Sequence, residues 1–428
     1  GISDIEQIAY AKSIGIDTIV LDHHEISDQL PDAVACINPA RSDCSFPFRH
    51  LAGVGIAFNF LIALRGTLRK EGFWKDDRYP NLKEYLDVVA LGTIGDIAPL
   101  VGENRIFAKI GLELITEGKR PGIKALKEVS GIDGQLIDSF KASFCLIPRI
   151  NAAGRIASPL DAVHLLLAEN LEEARPLAEK LDLHNRRRQA MERDILNEIL
   201  GKLGANPDLE NMNSLVFSSD KWHPGVVGIV ASRLVDLFSR PTFVISLKDG
   251  VGKGSGRSVS DFNIHKGLQQ CASLLLSYGG HYRAAGISIK EDDIDEFACT
   301  LDEIIRNSVQ STELVSQTFI DAECQLQDIN LDLVQQISML APFGCDNPEP
   351  ILCVRNIKVS SPSVVGNNHL KMHLVSNEAS CNAIWFGMGK YLGALNGANL
   401  DVVFSPQMNY WNGSSDIQLK LKDAAVLS

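Results

Sequence analysis

A chain of 428 residues, 45% hydrophobic and 22% charged, can bury full cores and divides into about three domains. No apolar run reaches 18 residues, which argues against a helical membrane span, and nine scattered cysteines without a Cys-x-x-Cys pair fit reduced cytoplasmic thiols better than disulfides or a zinc knuckle. A net charge of −12 rules out a uniformly basic coat for nucleic acid, so a polyanion would have to be drawn to a local patch.

From Gly1 to about Ala168, apolar runs alternate with helix-period stretches, as in an α/β domain. Ser3 and Glu6 can open a first helix as a capping box and Gly15 can close it. Thr18-Ile19-Val20-Leu21 then predicts a short buried strand ending on Asp22-His23-His24. Side chains leaving the carboxyl end of a strand in an open α/β sheet point into the crevice where such folds bind ligands. Three metal-binding or proton-transfer groups therefore meet there, although a turn with an Asp cap and two solvated histidines fits the triplet alone equally well.

After the apolar Leu86 to Leu91 stretch, Gly92-Thr93-Ile94-Gly95-Asp96 reads as glycines that let the backbone approach a ligand while Asp96 projects into the site. An Asp in an ordinary turn is the alternative. A divalent ion held by Asp and His donors suits phosphoryl transfer, because it acidifies bound water and neutralises phosphate charge. In Pro148 to Arg155, Arg149, Asn151 and Arg155 flank Ala152-Ala153-Gly154. Guanidinium groups take phosphate bidentately and small residues permit close approach, though a pre-helix loop would look the same.

Leu171 to about Leu203 carries apolar residues at spacings of three and four, with charge elsewhere, and predicts a long amphipathic helix bridging two domains. From about Asn213 to Val309 a second α/β unit follows, with strands at Leu215 to Phe217, Thr242 to Leu247 and around Ala285 to Ile289, and helices at Gly225 to Leu237 and Asp261 to Leu276. Between Val251 and Lys290 five basic residues stand against the single acid Asp261. Gly252 to Ser258 and Gly279 to Gly286 can form an anion nest from backbone N–H groups; no Walker register fits, and either segment could be a turn. From about Ser316 onward, short strand-like runs at Ile351 to Val354, Leu370 to Leu374, Ala383 to Phe386, Val402 to Phe404 and Ile417 to Leu421 suggest a small β-barrel.

Jointly these segments resemble the DHH phosphoesterase superfamily, and most closely its RecJ family of bacterial single-stranded-DNA exonucleases. Asp22-His23-His24 matches the DHH signature and Gly92 to Asp96 the later aspartate motif. Arg149 to Arg155 matches Arg-x-Asn-Ala-Ala-Gly-Arg, and Trp222 to Arg233, Gly254 to Ser258 and Gly279 to His281 match further elements in the family's order. Similarity continues through Pro342 to Pro350 and Trp411 to Asp423, covering nearly the whole chain.

The resemblance implies an α/β DHH phosphoesterase domain (1–168), a connecting helix (169–205), a second α/β, DHH-associated domain (206–312) and a β-barrel OB-fold (313–428). It implies a cytoplasmic 5′-to-3′ exonuclease of recombination and repair that releases mononucleotides with Mg²⁺ or Mn²⁺. Single-stranded DNA is the implied partner, with a single-strand-binding protein and a helicase as further ones. His23 and Asp96 then look like metal ligands, Asp22 like a ligand or the partner orienting an imidazole, and His24 like a contact to the scissile phosphate or an aid to proton transfer. Arg149, Asn151, Arg155, His223, Ser255, Arg257, Ser258, Gly280 and His281 are the implied substrate-binding residues, of which Ser255, Arg257 and His281 would hold the DNA end across the cleft between domains. Trp385, Phe386, Tyr410 and Trp411 are candidate stacking platforms, half of them expected to be core instead.

The family's first aspartate motifs fall before Gly1, so the chain as given is expected to hold about half of the metal ligands and to be inactive or weak. Two alternatives stay open: a phosphodiesterase of short oligonucleotides or cyclic dinucleotides, and a non-catalytic single-strand-binding scaffold. The third region argues against the first and the retention of Asp22, His23, His24 and Asp96 against the second.

Overall fold

The computed structural model describes residues 1–427 except 27–28, 76–77, 207–211, 260–261, 309–317, 367, 396 and 412–413. The expected helix start at Asp261, and the side chains of Tyr410 and Trp411, lie outside the described residues. The chain forms two compact units. Gly1–Glu117, Gly134–Ser143 and Thr318–Ser428 make the first; Gly118–Asp133 and Phe144–Gln317 make the second.

In the first unit, β1 (Ile19–Leu21) pairs in parallel with β2 (Ala35–Ile37). The strand is where the apolar run predicted it but is not fully buried: Val20 is inside, whereas Ile19 is 51% exposed. The helix before it, Ile5–Ser13, has Asp4 at its N-cap and no side-chain cap. Ser3 thus lies outside the cap and Glu6 one position short of N3, out of register for the expected reciprocal pair. Gly15, at φ +79°, does end the helix in the left-handed region.

Helices Gly53–Lys70, Leu86–Gly95 and Gly102–Glu117 follow, each packed on the next. The Gly92–Gly95 segment is not the ligand-approaching turn the glycines suggested: it is the last turn of a helix that is apolar on nearly every face and therefore buried. A Cβ on Gly92 would lie 2.7 Å from the Val54 side chain, so this glycine serves helix contact. Asp96 stands at the C-cap.

In the second unit, the expected long helix runs over Leu171–Ala205, with the Asn170 side chain accepting the Glu173 N–H at 3.0 Å. Pro121–Val129, Ile147–Ile156, Leu160–Leu167 and Pro224–Phe238 all pack on it. Beside them lies a five-stranded sheet in the order β3-β4-β5-β7-β6, formed by β3 (Leu215–Ser219), β4 (Thr242–Lys248), β5 (Val251–Arg257), β6 (Leu275–Gly280) and β7 (Ala284–Lys290). Only the β3–β4 pair is parallel, spanned by the Pro224–Phe238 crossover helix. The expected Asp261 to Leu276 helix is shorter, Ile264–Gln270, because the apolar run from Leu275 enters β6.

Gly252 to Arg257 is likewise a strand between β4 and β7, not a loop nest. Its residues alternate, as a strand requires. Cβ atoms on Gly252, Gly254 and Gly256 would meet Ile245, Ile287 and Phe243 at 2.6, 2.7 and 2.4 Å, so the glycines line the core face and leave Lys253, Ser255 and Arg257 on the other. The backbone N–H groups are consumed by the ladder and cannot form a nest.

Strands β8 (Ala322–Glu323), β9 (Leu352–Val365), β10 (His369–Val375), β11 (Ser380–Trp385), β12 (Asn399–Trp411) and β13 (Ser414–Val426) return to the first unit. The order β9-β10-β11-β13-β12 closes back on β9, giving the expected five-stranded barrel, with β8 beside β9. Inward residues such as Leu370, Leu374, Val402, Phe404 and Leu419 fill its core. Polar contacts fasten it to the first unit's helical part: Leu100 N donates to the Cys345 carbonyl at 2.7 Å and Ser139 Oγ to the Phe343 carbonyl at 2.6 Å. Among the described residues no helix is long and apolar enough to cross a membrane.

Candidate active site

At the end of β1 the chain turns so that Asp22 is nearly buried, 8% exposed. One carboxylate oxygen accepts the Ile2 N–H at 2.6 Å; the other accepts the His23 and His24 N–H groups at 2.7 and 3.1 Å and lies 2.6 Å from His24 Nδ1. Burial pushes this carboxyl up, but the combined donors of Ile2, His24 and His23 outweigh it and hold Asp22 well below the usual carboxylate range. Asn38, itself buried, donates to the His24 carbonyl at 2.9 Å and fixes the turn from β2.

The two imidazoles stack, with ring centroids 4.3 Å apart. His23 Nε2 lies 3.3 Å from Asp96 Oδ2, delivered by the end of the Leu86–Gly95 helix. Its Nδ1 is buried without a hydrogen-bond partner, 3.1 Å from where a Cβ on Gly53 would sit. Asp22, His23 and His24 each offer a ligand atom within 4.8 Å of the others. An orphaned imidazole nitrogen, a carboxylate facing the second nitrogen, and mixed N/O donors fit a divalent cation of the Mn²⁺ type.

In the second unit a cationic cluster forms around β5. Arg257 Nη1 donates to Ser255 Oγ at 3.0 Å and to the Gly256 carbonyl at 2.8 Å, and no described residue gives it a carboxylate. The Pro224–Phe238 helix lies over both side chains, since a Cβ on Gly228 would sit 2.8 Å from Ser255 Oγ and 3.3 Å from Arg257 Nη2. Its first turn abuts Arg155: a Cβ on Gly225 would meet the Arg155 carbonyl at 2.1 Å, and Arg155 Nη1 reaches the Gly225 carbonyl at 3.4 Å. Burial and then the Arg155 charge lower the Arg257 pKa. Arg155 and Arg257, neither of them ion-paired among the described residues, suit an anion.

The other expected substrate residues fall differently. Arg149 turns into the protein, with Nε 2.9 Å from the buried Asp182 carboxylate, while Asn151 is exposed on the same helix. His223 caps the Pro224–Phe238 helix, its Nδ1 accepting the Gly225 N–H at 3.1 Å. Ser258 is buried and donates to the Phe262 carbonyl at 2.7 Å. Gly280, at φ +144°, shapes the β6–β7 hairpin in which His281 N donates to the Ala284 carbonyl at 2.8 Å. In the barrel, Trp385 is core, stacked on Tyr391, and Phe386 is 47% exposed beside His369. Sequence patterns did not single out Arg188 and Glu192, a buried i, i+4 pair of the long helix whose carboxylate also meets Arg233.

Family models described as DHH family N-terminal domain, DHHA1 domain and RecJ OB domain match residues 1–93, 211–307 and 320–423. The single-stranded-DNA-specific exonuclease RecJ of Bacillus subtilis is 36% identical over all of this chain, which spans 53% of that protein. The protein of the same name from Escherichia coli is 37% identical over 98% of the chain, which spans 75% of it. A crystal structure of RecJ from Thermus thermophilus in complex with Mn²⁺ superposes with a TM-score of 0.84 at 28% identity, over 99% of this chain and 60% of that one. A Mg²⁺ complex from the same organism gives 0.79.

Proposed function

Because the chain belongs to the RecJ family of single-stranded-DNA-specific exonucleases, we propose that it hydrolyses single-stranded DNA from the 5′ end and releases 5′-mononucleotides, using Mn²⁺ or Mg²⁺. The observation that carries this is the approach of His23 Nε2 to Asp96 Oδ2 beside the stacked His24. A bound divalent ion would supply an acidified water and neutralise phosphate charge. His23 and Asp96 would be its donors in this chain. Asp22, whose oxygens already accept from Ile2, His23 and His24, orients the His24 imidazole and fixes the His23 backbone. His24 keeps Nε2 for the scissile phosphate or for a proton bound to the leaving 3′ oxygen.

Hydrolysis at the bond to the terminal nucleotide's 3′ oxygen leaves the shortened strand with a new 5′-phosphate. Each round therefore regenerates the group that Arg155, Ser255 and Arg257 are suited to bind, a terminal phosphate. The barrel, with Phe386 on its surface, would hold the strand farther along. A cytoplasmic location, a role in recombination and repair, and a single-strand-binding protein and a helicase as partners on the same strand complete the proposal.

The test offers the full-length protein a long single strand, a 5-mer and a cyclic dinucleotide in Mn²⁺ and identifies the products. Mononucleotides released successively from the 5′ end of the long strand are expected. Cleavage confined to the 5-mer or the cyclic dinucleotide would replace this function with a small-substrate phosphodiesterase, and binding without cleavage of any would make the protein a scaffold.

A further inference from the structure

We propose that Ile97, the residue after Asp96, is a specificity-determining residue: its exposed side chain packs against the base of a nucleotide flanking the scissile phosphate. This rests on the proposed hydrolysis of single-stranded DNA at the His23–Asp96 site.

The Leu86–Gly95 helix ends in a hydrogen-bond pattern that demands a left-handed residue. The Ile97 N–H donates to the Ile94 carbonyl at 3.1 Å and the Ala98 N–H to the Thr93 carbonyl at 3.2 Å, which closes the helix around Asp96 with Ile97 as the reversing residue. Glycine is the usual occupant of that position, having no Cβ to clash. Here it is isoleucine, at φ +56°. Every other non-glycine residue at positive φ among the described residues is Ser, Asp or Asn, short polar types, whereas the β-branched side chain of Ile97 is crowded against its own backbone.

Burial does not offset the strain. Ile97 is 75% exposed, while Thr93 and Ala98, the residues joined around it, are buried. An apolar side chain kept in an unfavourable backbone conformation, with nothing gained from the core, points to a contact outside the fold. Position decides what that contact is. Successive α-carbons lie about 3.8 Å apart, so a phosphate that reaches a cation on Asp96 brings its nucleotides to Ile97. The phosphate itself offers no apolar surface; the face of a base does. An exposed apolar residue in an ordinary backbone conformation would need no such account.

The experiment offers the full-length protein and its Ile97→Gly and Ile97→Val variants three 5′-phosphorylated single strands in Mn²⁺: one complete, one lacking the base of the first nucleotide and one lacking that of the second. It measures kcat/KM for release of the first nucleotide, and Tm in EDTA. Ile97→Gly relieves the backbone and is expected to raise Tm, yet to lower kcat/KM on the complete strand by about fivefold. On one of the two abasic strands it should match the parent, and Ile97→Val should behave as the parent on all three. Equal losses on every strand, or none on any, would overturn the inference and leave the hydrolytic function standing. A lowered Tm for Ile97→Gly would overturn it too, by showing that the side chain is packed in the full-length protein. If the parent releases no terminal nucleotide from the complete strand, the hydrolytic function itself fails and takes the inference with it.

Discussion

His23 and Asp96, brought from the end of a strand and the end of a helix, meet with 3.3 Å between Nε2 and Oδ2. His23→Ala or Asp96→Ala in the full-length protein is expected to abolish hydrolysis while leaving affinity for single-stranded DNA within about threefold, because phosphate and base contacts lie elsewhere. Rates at saturating Mn²⁺ and anisotropy titrations check this. Near-normal turnover of either variant would remove both residues from the metal centre.

Asp22→Asn should act through order rather than charge alone. A buried amide can accept some of the four donors but must also place its own N–H₂ group among them. A loss of about 2 kcal/mol of stability in the first unit, together with lost activity, is expected from urea unfolding and rate measurements. A variant as stable as the parent would show that those hydrogen bonds do not hold the turn.

Two glycines should separate folding from binding. Gly256→Ala drives a Cβ to 2.4 Å from the Phe243 ring and is expected to cost about 1 to 3 kcal/mol of stability. Gly228→Ala meets Ser255 Oγ at 2.8 Å and Arg257 Nη2 at 3.3 Å, the movable ends of side chains, so it should shift the anion site. The expected signature is a lowered preference for 5′-phosphorylated ends with little change in Tm; a purely thermal effect would contradict the placement of the site.

Phe386→Ala should weaken binding to long single strands by about 1 to 3 kcal/mol if a base stacks on its exposed ring, and leave very short strands nearly unaffected. A point variant is the right probe because deleting the barrel would also break the Leu100 to Cys345 and Ser139 to Phe343 hydrogen bonds of the first unit. Equal affinity of parent and variant would make Phe386 an ordinary surface residue.

Thiol chemistry gives an independent check on the cores. Burial pushes the Cys271 thiol up to about 11, and pushes Cys381 up to about 11 against a backbone hydrogen bond to Asn382 that lowers it, whereas Cys299 is exposed. The thiolate is the reactive form, so at pH 8 only about a thousandth of either buried thiol is ionised. Iodoacetamide followed by mass spectrometry should label the exposed Cys299 and Cys345 before Cys271 and Cys381. Equal labelling of Cys271 in the native protein would show that its core opens readily.

The Asp22 triplet was legible because an apolar run stops at it, and the five barrel strands because apolar residues recur between turn formers. The glycine segments misled for a definite reason. Glycine marks a close approach without saying to what, and at Gly92 and at Gly252, Gly254 and Gly256 the approaching groups are Val54, Ile245, Ile287 and Phe243 rather than a ligand. The alternation of glycine with Lys253, Ser255 and Arg257 carried the strand signal. Arg188 and Glu192 could not be read at all, since i, i+4 spacing on a charged helix looks like a solvated pair until another helix covers it.

The first unit is discontinuous, closing Gly1–Glu117 with Gly134–Ser143 and Thr318–Ser428, while the second lies wholly between its parts. During translation the second unit has all its residues as soon as position 317 leaves the ribosome. The first, which carries Asp22, His23 and Asp96, receives its last residues only with the barrel. A nascent chain thus holds every residue of the second unit, Arg155 and Arg257 among them, before the last strands of the first unit exist, and premature termination within the barrel would leave Asp22, His23 and Asp96 in a unit short of those strands.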